Sequence, residues 1–330
     1  MKKRKIFLPV FLSLVLVFGG ILTWDLVRGG GKGHSASPVG MGEAESEDQG
    51  YFRLLVAGVD DGGTLCDVMI LLSICRETGE IWGLQLPRDT YARYSAGSYR
   101  KLNGAANALG GMEGLCGFLE ESLALSIDGY LRLTPDALRR GVDALGGVEI
   151  DLDRDMDYED PAQGLSIHLS RGKQVLDGDM AEQFVRYREG YLRGDLDRMD
   201  AQKQFLSALY GRVRETMTPM SAIRMAVSLL GCVQTDLTLP QLWELANLLL
   251  GESRGSVYLV TAPGEDARAK KSGASYFVLS AEGMDRLLAE HFGAEAGAFD
   301  RGHVFLNESY EEFLAIYEED RDFHPFRLGQ

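Results

Sequence analysis

Positive charge is scarce in this chain. Lys and Arg total 34 against 49 Asp and Glu, leaving a formal net charge of −15 over 330 residues. Such a balance excludes a nucleic-acid surface and broad adhesion to anionic lipid, and makes any local cluster of arginines conspicuous. Cysteine is sparse too: Cys66, Cys75, Cys116 and Cys232 form no CxxC pair and no Cys/His metal spacing. In a chain of this length they read as small buried hydrophobes rather than a disulfide framework. Cys66 and Cys75 lie too far apart along one strand and its entry to bridge. His34, His168, His291, His303 and His324 fall at no metal-binding interval. There is no G-x-S-x-G elbow, P-loop, helix-turn-helix pattern or internal repeat. The Gly110-Gly111 and Gly146-Gly147 pairs are turn glycines.

One long apolar run is present. Lys2, Lys3, Arg4 and Lys5 precede the uncharged stretch from Ile6 to Trp24. That length spans a bilayer core as a helix, and the basic cluster holds its N-terminal side in the cytoplasm. A cleaved signal peptide has a shorter apolar region, and the only small-residue site here, near Ser35 to Ser37, lies well past the apolar end. The expected organisation is a cytoplasmic basic tail (1–5), a single transmembrane anchor (6–27), a flexible linker rich in Gly, Ser, Pro and Glu (28–50), a main domain outside the cell (51–293), and a C-terminal extension (294–330) whose aromatics and acids suit a packed helix.

Within the main domain, Phe52 to Val59 and Val68 to Cys75 are apolar runs ending in turns, and Ile81 to Leu86 returns beside them until Pro87 stops the ladder. Apolar residues every three to four positions predict helices over Leu102 to Gly110 and Gly114 to Leu125. Thr134 and Pro135 mark the start of another, which Gly146-Gly147 ends before a strand at Val148 to Leu152. Helices are expected from Gly178 to Arg188, from Asp195 to about Thr216 and over Leu239 to Leu250, with strands at Tyr130 to Leu133, Val257 to Thr261 and Tyr276 to Leu279. This interleaving predicts an α/β fold, a central mixed sheet covered by helices on both faces.

Two residue clusters carry chemistry. If the first two strands are neighbours, Asp60 and Asp67 emerge at one end of the sheet, with Asp67 opposite about Asp89 or Thr90 and with Arg88 beside it. Converging carboxylates suit a hard cation such as Mg²⁺ or Mn²⁺; the same aspartates also suit ordinary turns and caps. The second cluster is Arg186-Tyr187-Arg188 followed by Asp195, Asp197, Arg198 and Gln202. Arg198 and Gln202 share a face one turn apart near a helix N-terminus, where anions are favoured. Guanidinium forks take phosphate oxygens in pairs, and Arg186 and Arg188 point the same way if their stretch is extended. A solvated basic loop is the plain alternative. With Lys101 added, carboxylates and cations together suit a metal–pyrophosphate site.

The stretches AGVDD (Ala57 to Asp61), CDVMILLSI (Cys66 to Ile74), LPRDTY (Leu86 to Tyr91), KLNGA (Lys101 to Ala105), GVDALGGVEID (Gly141 to Asp151), LDGDMAEQFVRYR (Leu176 to Arg188) and DLDRMDAQKQFL (Asp195 to Leu206) resemble, in order and spacing, the LytR–CpsA–Psr (LCP) family of membrane-anchored glycopolymer transferases. The resemblance implies an α/β/α sandwich, a polyprenyl-pyrophosphate glycan donor and a peptidoglycan acceptor. It places the metal-holding role on Asp60 and Asp67 and the phosphate-contacting role on Arg88, Lys101, Arg186, Arg188, Arg198 and Gln202. Asp89 is then positioned to orient Arg88 or to accept the incoming hydroxyl's proton.

The chain departs from that pattern where the family has Arg-Ser or Arg-Thr and this chain has Leu65-Cys66, and again at Val68, where the family has Thr. One phosphate contact is thereby lost. Alongside the transferase stand a catalytically weakened binding protein for polyprenyl-phosphate glycans or lipids, and a polyprenyl-pyrophosphate hydrolase. A lipid tail needs an apolar tunnel, and Phe118, Leu119, Leu123, Leu206 and Leu209 are as consistent with ordinary core as with its lining.

Overall fold

The computed structural model describes residues 50–329 apart from 96–97, 162–163, 217–218, 251–254, 301–303, 306–312 and 316–318. The basic tail, the transmembrane anchor and all of the linker but Gly50 lie outside the described residues. No helix among the described residues is long and apolar enough to cross a membrane.

Strands β1 (Tyr51–Val59), β2 (Cys66–Cys75) and β3 (Ile81–Gln85) form the middle of a seven-stranded mixed sheet. Its order is Val233–Thr235, Gly129–Leu133, β1, β2, β3, Val257–Thr261, Phe326–Arg327. The hairpins β1–β2 and β2–β3 are antiparallel. Gly129–Leu133 joins β1 in parallel and Val257–Thr261 joins β3 in parallel.

Period-two alternation divides the sheet's side chains between two cores. Leu55, Ala57, Met69 and Leu71 face one, closed by Leu115, Leu119 and Leu123 of the helix Met112–Leu123 and by Leu287 and Leu288 of the helix Ala281–His291. Phe52, Leu54, Ile74 and Ile81 face the other, closed by Leu242 and Leu245 of the helix Leu239–Leu250. Burial on both faces is why these strands read as nearly unbroken apolar runs. A third cluster unites the strand pairs Val148–Leu152/Gly172–Leu176 and Met156–Asp160/Leu165–Leu169 with the helices Gly178–Arg186 and Asp195–Thr216 through Phe184 and Phe205. It anchors the helix ends that carry the arginines. Phe184 is 1% exposed, so its truncation to Ala is expected to cost about 3–5 kcal/mol.

Several expectations are corrected. The β2–β3 register pairs Ile70 with Gln85, which carries Asp67 to a position opposite Arg88 rather than Asp89 or Thr90. The helix expected over Leu102 to Gly110 is a 3₁₀ turn, Leu102–Gly104, and one α turn, Ala105–Ala108. It stops at Gly110 and Gly111, both at positive φ, where a side chain is disfavoured. Thr134 is the N-cap residue ahead of Pro135, but its side chain caps nothing; the hydroxyl donates to the Cys232 carbonyl at 3.3 Å instead. Among the described residues of 294–330 there is no helix: Phe313–Ala315 adds to the strand Gly264–Ala269, and Phe326–Arg327 adds to the main sheet. Phe118, Leu119 and Leu123 pack in the first core, whereas Leu209 packs on the third, so they belong to two separate clusters. All four cysteines are free thiols; Cys66, Cys116 and Cys232 are buried and Cys75 is half-buried.

Candidate functional site

The β1–β2 connection places the first two acids. Val59 pairs with Cys66 and Gly58 with Val68, so Asp67 is the unpaired residue of a bulge in β2 at the end of the sheet from which Asp60 emerges. Asp60 Oδ1 accepts the amides of Thr64 at 2.7 Å and Leu65 at 2.9 Å, holding the loop in shape. Asp67 Oδ1 accepts from Arg88 Nη1 at 2.8 Å. Each carboxylate keeps a second oxygen to which no described residue donates. Among the described residues, no three acids, histidines or cysteines gather closely enough to cage a cation. The free oxygens of Asp60 and Asp67 are the carboxylate donors a Mg²⁺ ion bound with phosphate could use, since Mg²⁺ takes one or two carboxylates and completes its shell with phosphate oxygens and water.

Arg88 is the hub. Besides Asp67, its Nε lies 3.4 Å from Asp195 Oδ1 and 3.8 Å from Asp89 Oδ1. Asp195 is the first residue of its helix, and its carboxylate faces Arg198 Nη2 at 2.8 Å as well. These contacts are ion pairs without hydrogen-bond alignment. Arg88 Nε, Arg198 Nε and both Asp195 oxygens are buried with no hydrogen-bond partner among the described residues. They surround a small polar cavity of about 10 Å³. Buried polar atoms left in this state mark a place built for a ligand, an ion or ordered water. Burial lowers the Arg198 pKa, partly offset by Asp195. For Arg88, burial is outweighed by Asp195 and Asp67, and its pKa is raised.

A larger cavity, about 470 Å³, opens in front of Arg88 and is lined also by Asp89, Arg186, Arg188, Arg193, Asp195 and Asp266. Arg186 ends its helix, and Tyr187 after it is extended, so the two arginines come from a helix end and a loop rather than from one strand. The helix C-terminus is a favourable place for a cation. Arg186 Nη1 is held by Glu182 Oε1 at 2.7 Å, one turn back, and by Asp61 at 3.3 Å. Glu182 also binds Arg139, so one buried acid fixes two guanidiniums.

The sequence-predicted residues thus separate by role. Arg88, Asp89, Arg186 and Arg188 reach the open cavity. Arg198 and Gln202 are buried behind it on the small one, donating to the Asp67 and Val185 carbonyls, each at 3.3 Å. Lys101 lines neither; its Nζ pairs with Asp89 Oδ2 at 2.7 Å. That salt link neutralises Asp89 as it orients it. Glu182 and Asp266 complete the site and were not singled out by the sequence, while Asp195, named in the second cluster, was given no role of its own. The i,i+4 spacing of Glu182 to Arg186 and the i,i+3 spacing of Asp195 to Arg198 were the available signals.

Leu65 and Cys66 bring no charge: Leu65 is exposed, and burial pushes the Cys66 thiol up to about 11. A cation reaches their loop from the neighbouring strand instead. Arg132 Nη2 donates to the Gly63 carbonyl at 2.8 Å.

Arg88, Arg186 and Arg188 thus converge on one cavity, with Asp67 holding Arg88 from behind. The LytR_cpsA_psr family model matches residues 32–292. The chain belongs to the LytR–CpsA–Psr family. It is 31% identical over 252 residues, 73% of this chain and 75% of the relative, to the polyisoprenyl-teichoic acid–peptidoglycan teichoic acid transferase TagU of Oceanobacillus iheyensis. It is 23% identical to TagV of Bacillus subtilis, a transferase described in the same words, over 88% of this chain and 78% of that one. The fold matches the B. subtilis TagV crystal structure with a TM-score of 0.61 at 24% identity, covering 74% of this chain and 98% of that one. TagT bound to LI-WTA matches equally, with a TM-score of 0.61 at 23% identity, covering 74% of this chain and 90% of TagT. The fold expected of an LCP protein, a mixed sheet within an α/β domain, is the one observed.

Proposed function

We propose that this LCP protein is a cell-envelope glycopolymer transferase, moving a phosphate-bearing glycan from a polyprenyl-pyrophosphate carrier to a peptidoglycan hydroxyl. The observation that carries the reading is the cavity lined by Arg88, Arg186 and Arg188, with Arg88 held by Asp67 and Arg186 by Glu182. Phosphoryl transfer asks for positioning and charge neutralisation more than for covalent participation by the protein. Arg186 and Arg188 would grip the glycan-side phosphate, and Arg88 the phosphate that leaves with the lipid. Arg198 keeps Asp195 in place behind Arg88, and Gln202 ties the Arg198 helix to the end of the Arg186 helix. Asp60 and Asp67 would hold a Mg²⁺ or Mn²⁺ ion, which would supply further neutralisation of the pyrophosphate charge. The acceptor oxygen bonds to the glycan-side phosphorus, the bond from that phosphorus to the bridging oxygen breaks, and polyprenyl phosphate departs with the electron pair.

Placement follows from the same reading. The segment 6–27 anchors the chain in the cell membrane with residues 1–5 inside, and the domain works on the outer face, where peptidoglycan is. The test uses the full-length chain in detergent with Mg²⁺ and a polyprenyl-pyrophosphate saccharide. Polyprenyl phosphate should be released when peptidoglycan fragments are present and not in their absence, and neither Asp67→Ala nor Arg186→Ala should support release. Release that ignores the acceptor would make the protein a hydrolase; tight donor binding with no release at all would make it a binding protein.

A further inference from the structure

Nearly every acid around this site is already engaged. Asp67 is held by Arg88, Asp89 by Lys101, Asp195 by Arg88 and Arg198, Glu182 by Arg186 and Arg139. Asp197 and Asp200 are both taken by Arg193, and Asp60 by backbone amides. A carboxylate gripped in this way has an oxygen occupied by its partner and is less free to meet an incoming hydroxyl. Asp266 differs. It is half-buried in the wall of the 470 Å³ cavity, and no hydrogen bond or ion pair from a described residue reaches its carboxylate. Glu189, also on that wall, is exposed.

Its position is fixed by the loop that carries Arg88. Asp266 lies on the strand Gly264–Ala269, directly across from Phe277. The Phe277 amide donates to the Asp89 carbonyl at 2.9 Å, and Thr90 bridges to Phe277 in parallel. Asp266 is therefore registered against Asp89 through backbone contacts. Burial, and then the negative charges of Asp195 and Asp89, push its pKa up to about 6, against the opposing charge of Arg193. Arg88, Arg186, Arg188 and Arg268 face the same cavity. An acid of this kind is ionised at neutral pH yet more basic than an ordinary carboxylate, the balance that general base catalysis favours.

We propose that Asp266 is the general base of the transfer, accepting the proton of the attacking sugar hydroxyl. The assignment rests on the transferase reading above. As the hydroxyl oxygen bonds to the glycan-side phosphorus, its proton passes to an Asp266 carboxylate oxygen, and polyprenyl phosphate leaves with the electrons of the broken P–O bond. Asp266 afterwards returns the proton to solvent. Asp89, locked to Lys101, acts as a positioning residue.

The experiment compares the full-length wild type with Asp266→Asn and Asp266→Glu, measuring donor Kd and the pH profile of kcat on a polyprenyl-pyrophosphate saccharide with peptidoglycan fragments. Asp266→Asn should lower kcat by about 10²-fold or more, leave donor Kd within about twofold, and abolish the acidic limb near pH 6. Asp266→Glu should recover part of the rate together with that limb. Unchanged kcat with the limb intact in Asp266→Asn overturns the assignment. Loss of donor binding in proportion to kcat does so too, by making Asp266 a binding group. A wild type that binds the donor and neither transfers nor hydrolyses it overturns the transferase reading, and this assignment with it.

Discussion

Neutralising Asp195 isolates the electrostatic logic of the site. Its carboxylate lies 2.8 Å from Arg198 and 3.4 Å from Arg88, with both oxygens buried. At an effective dielectric near 20, each contact is a gross attraction of about 5–6 kcal/mol, much of it offset by desolvation. Asp195→Asn preserves shape but leaves two guanidiniums facing one another. Removing one partner from a buried ion pair costs about 3–5 kcal/mol, and Tm should fall by about 6–12 °C for a domain of this size. The same substitution frees positive charge for a ligand. Inorganic pyrophosphate should bind the variant about tenfold more tightly than wild type, an extra ~1.4 kcal/mol, and so raise its Tm by more. The assay is thermal unfolding with and without pyrophosphate. An unchanged Tm, or equal stabilisation of both proteins by pyrophosphate, would refute the claim that Asp195 stands in for substrate charge between Arg88 and Arg198.

Other expectations follow from neighbouring contacts. Glu182→Gln releases Arg186 and Arg139 from a buried acid; it should destabilise by about 1–3 kcal/mol and weaken donor binding, and isothermal titration showing wild-type affinity would count against the tether. Arg132→Met should reduce donor affinity severalfold, whereas Leu65→Arg, at an exposed position, should raise it with stability changed by no more than about 0.5 kcal/mol. If neither variant moves the donor Kd, Arg132 is not the replacement cation. His168 bridges Glu159 and Asp157 on the hairpin Met156–Asp160/Leu165–Leu169, and these bonds raise its pKa above 6.5. Because the folded value is the higher one, the histidine's contribution is fully present below pH 6.5 and is lost as pH rises through the raised value. Hydrogen exchange in the hairpin should quicken over that window in wild type but not in His168→Asn.

Most of the sheet was legible because its signals are local. The apolar run from Phe52 to Val59 and the Thr78-Gly79 turn set strand and register within a residue, since neither depends on distant partners. The arginine clusters were legible as charge standing out from an acidic chain. What escaped was the division of labour among them. Nothing in the spacing of Arg198 and Gln202 distinguishes a buried supporting pair from a ligand-facing one, because burial is decided by the Arg88 loop more than a hundred residues earlier. Asp266 had no sequence signature: one of two adjacent acids in a short strand, it becomes important only when Thr90 and Phe277 bring that strand to the site. In the described part of the tail, short strands take the place of the expected helix, because aromatic and acidic residues satisfy helical and strand patterns alike and short edge strands are settled by the ladders they join.

The most direct test is to look for the bond the enzyme should make. Full-length protein in detergent is incubated with Mg²⁺, a polyprenyl-pyrophosphate-linked saccharide and peptidoglycan fragments, and the products are examined by mass spectrometry. A phosphodiester joining the saccharide to a peptidoglycan sugar, present with wild type and missing with Arg186→Ala, is the predicted result. Intact donor, or free saccharide phosphate with unmodified peptidoglycan, would contradict the account.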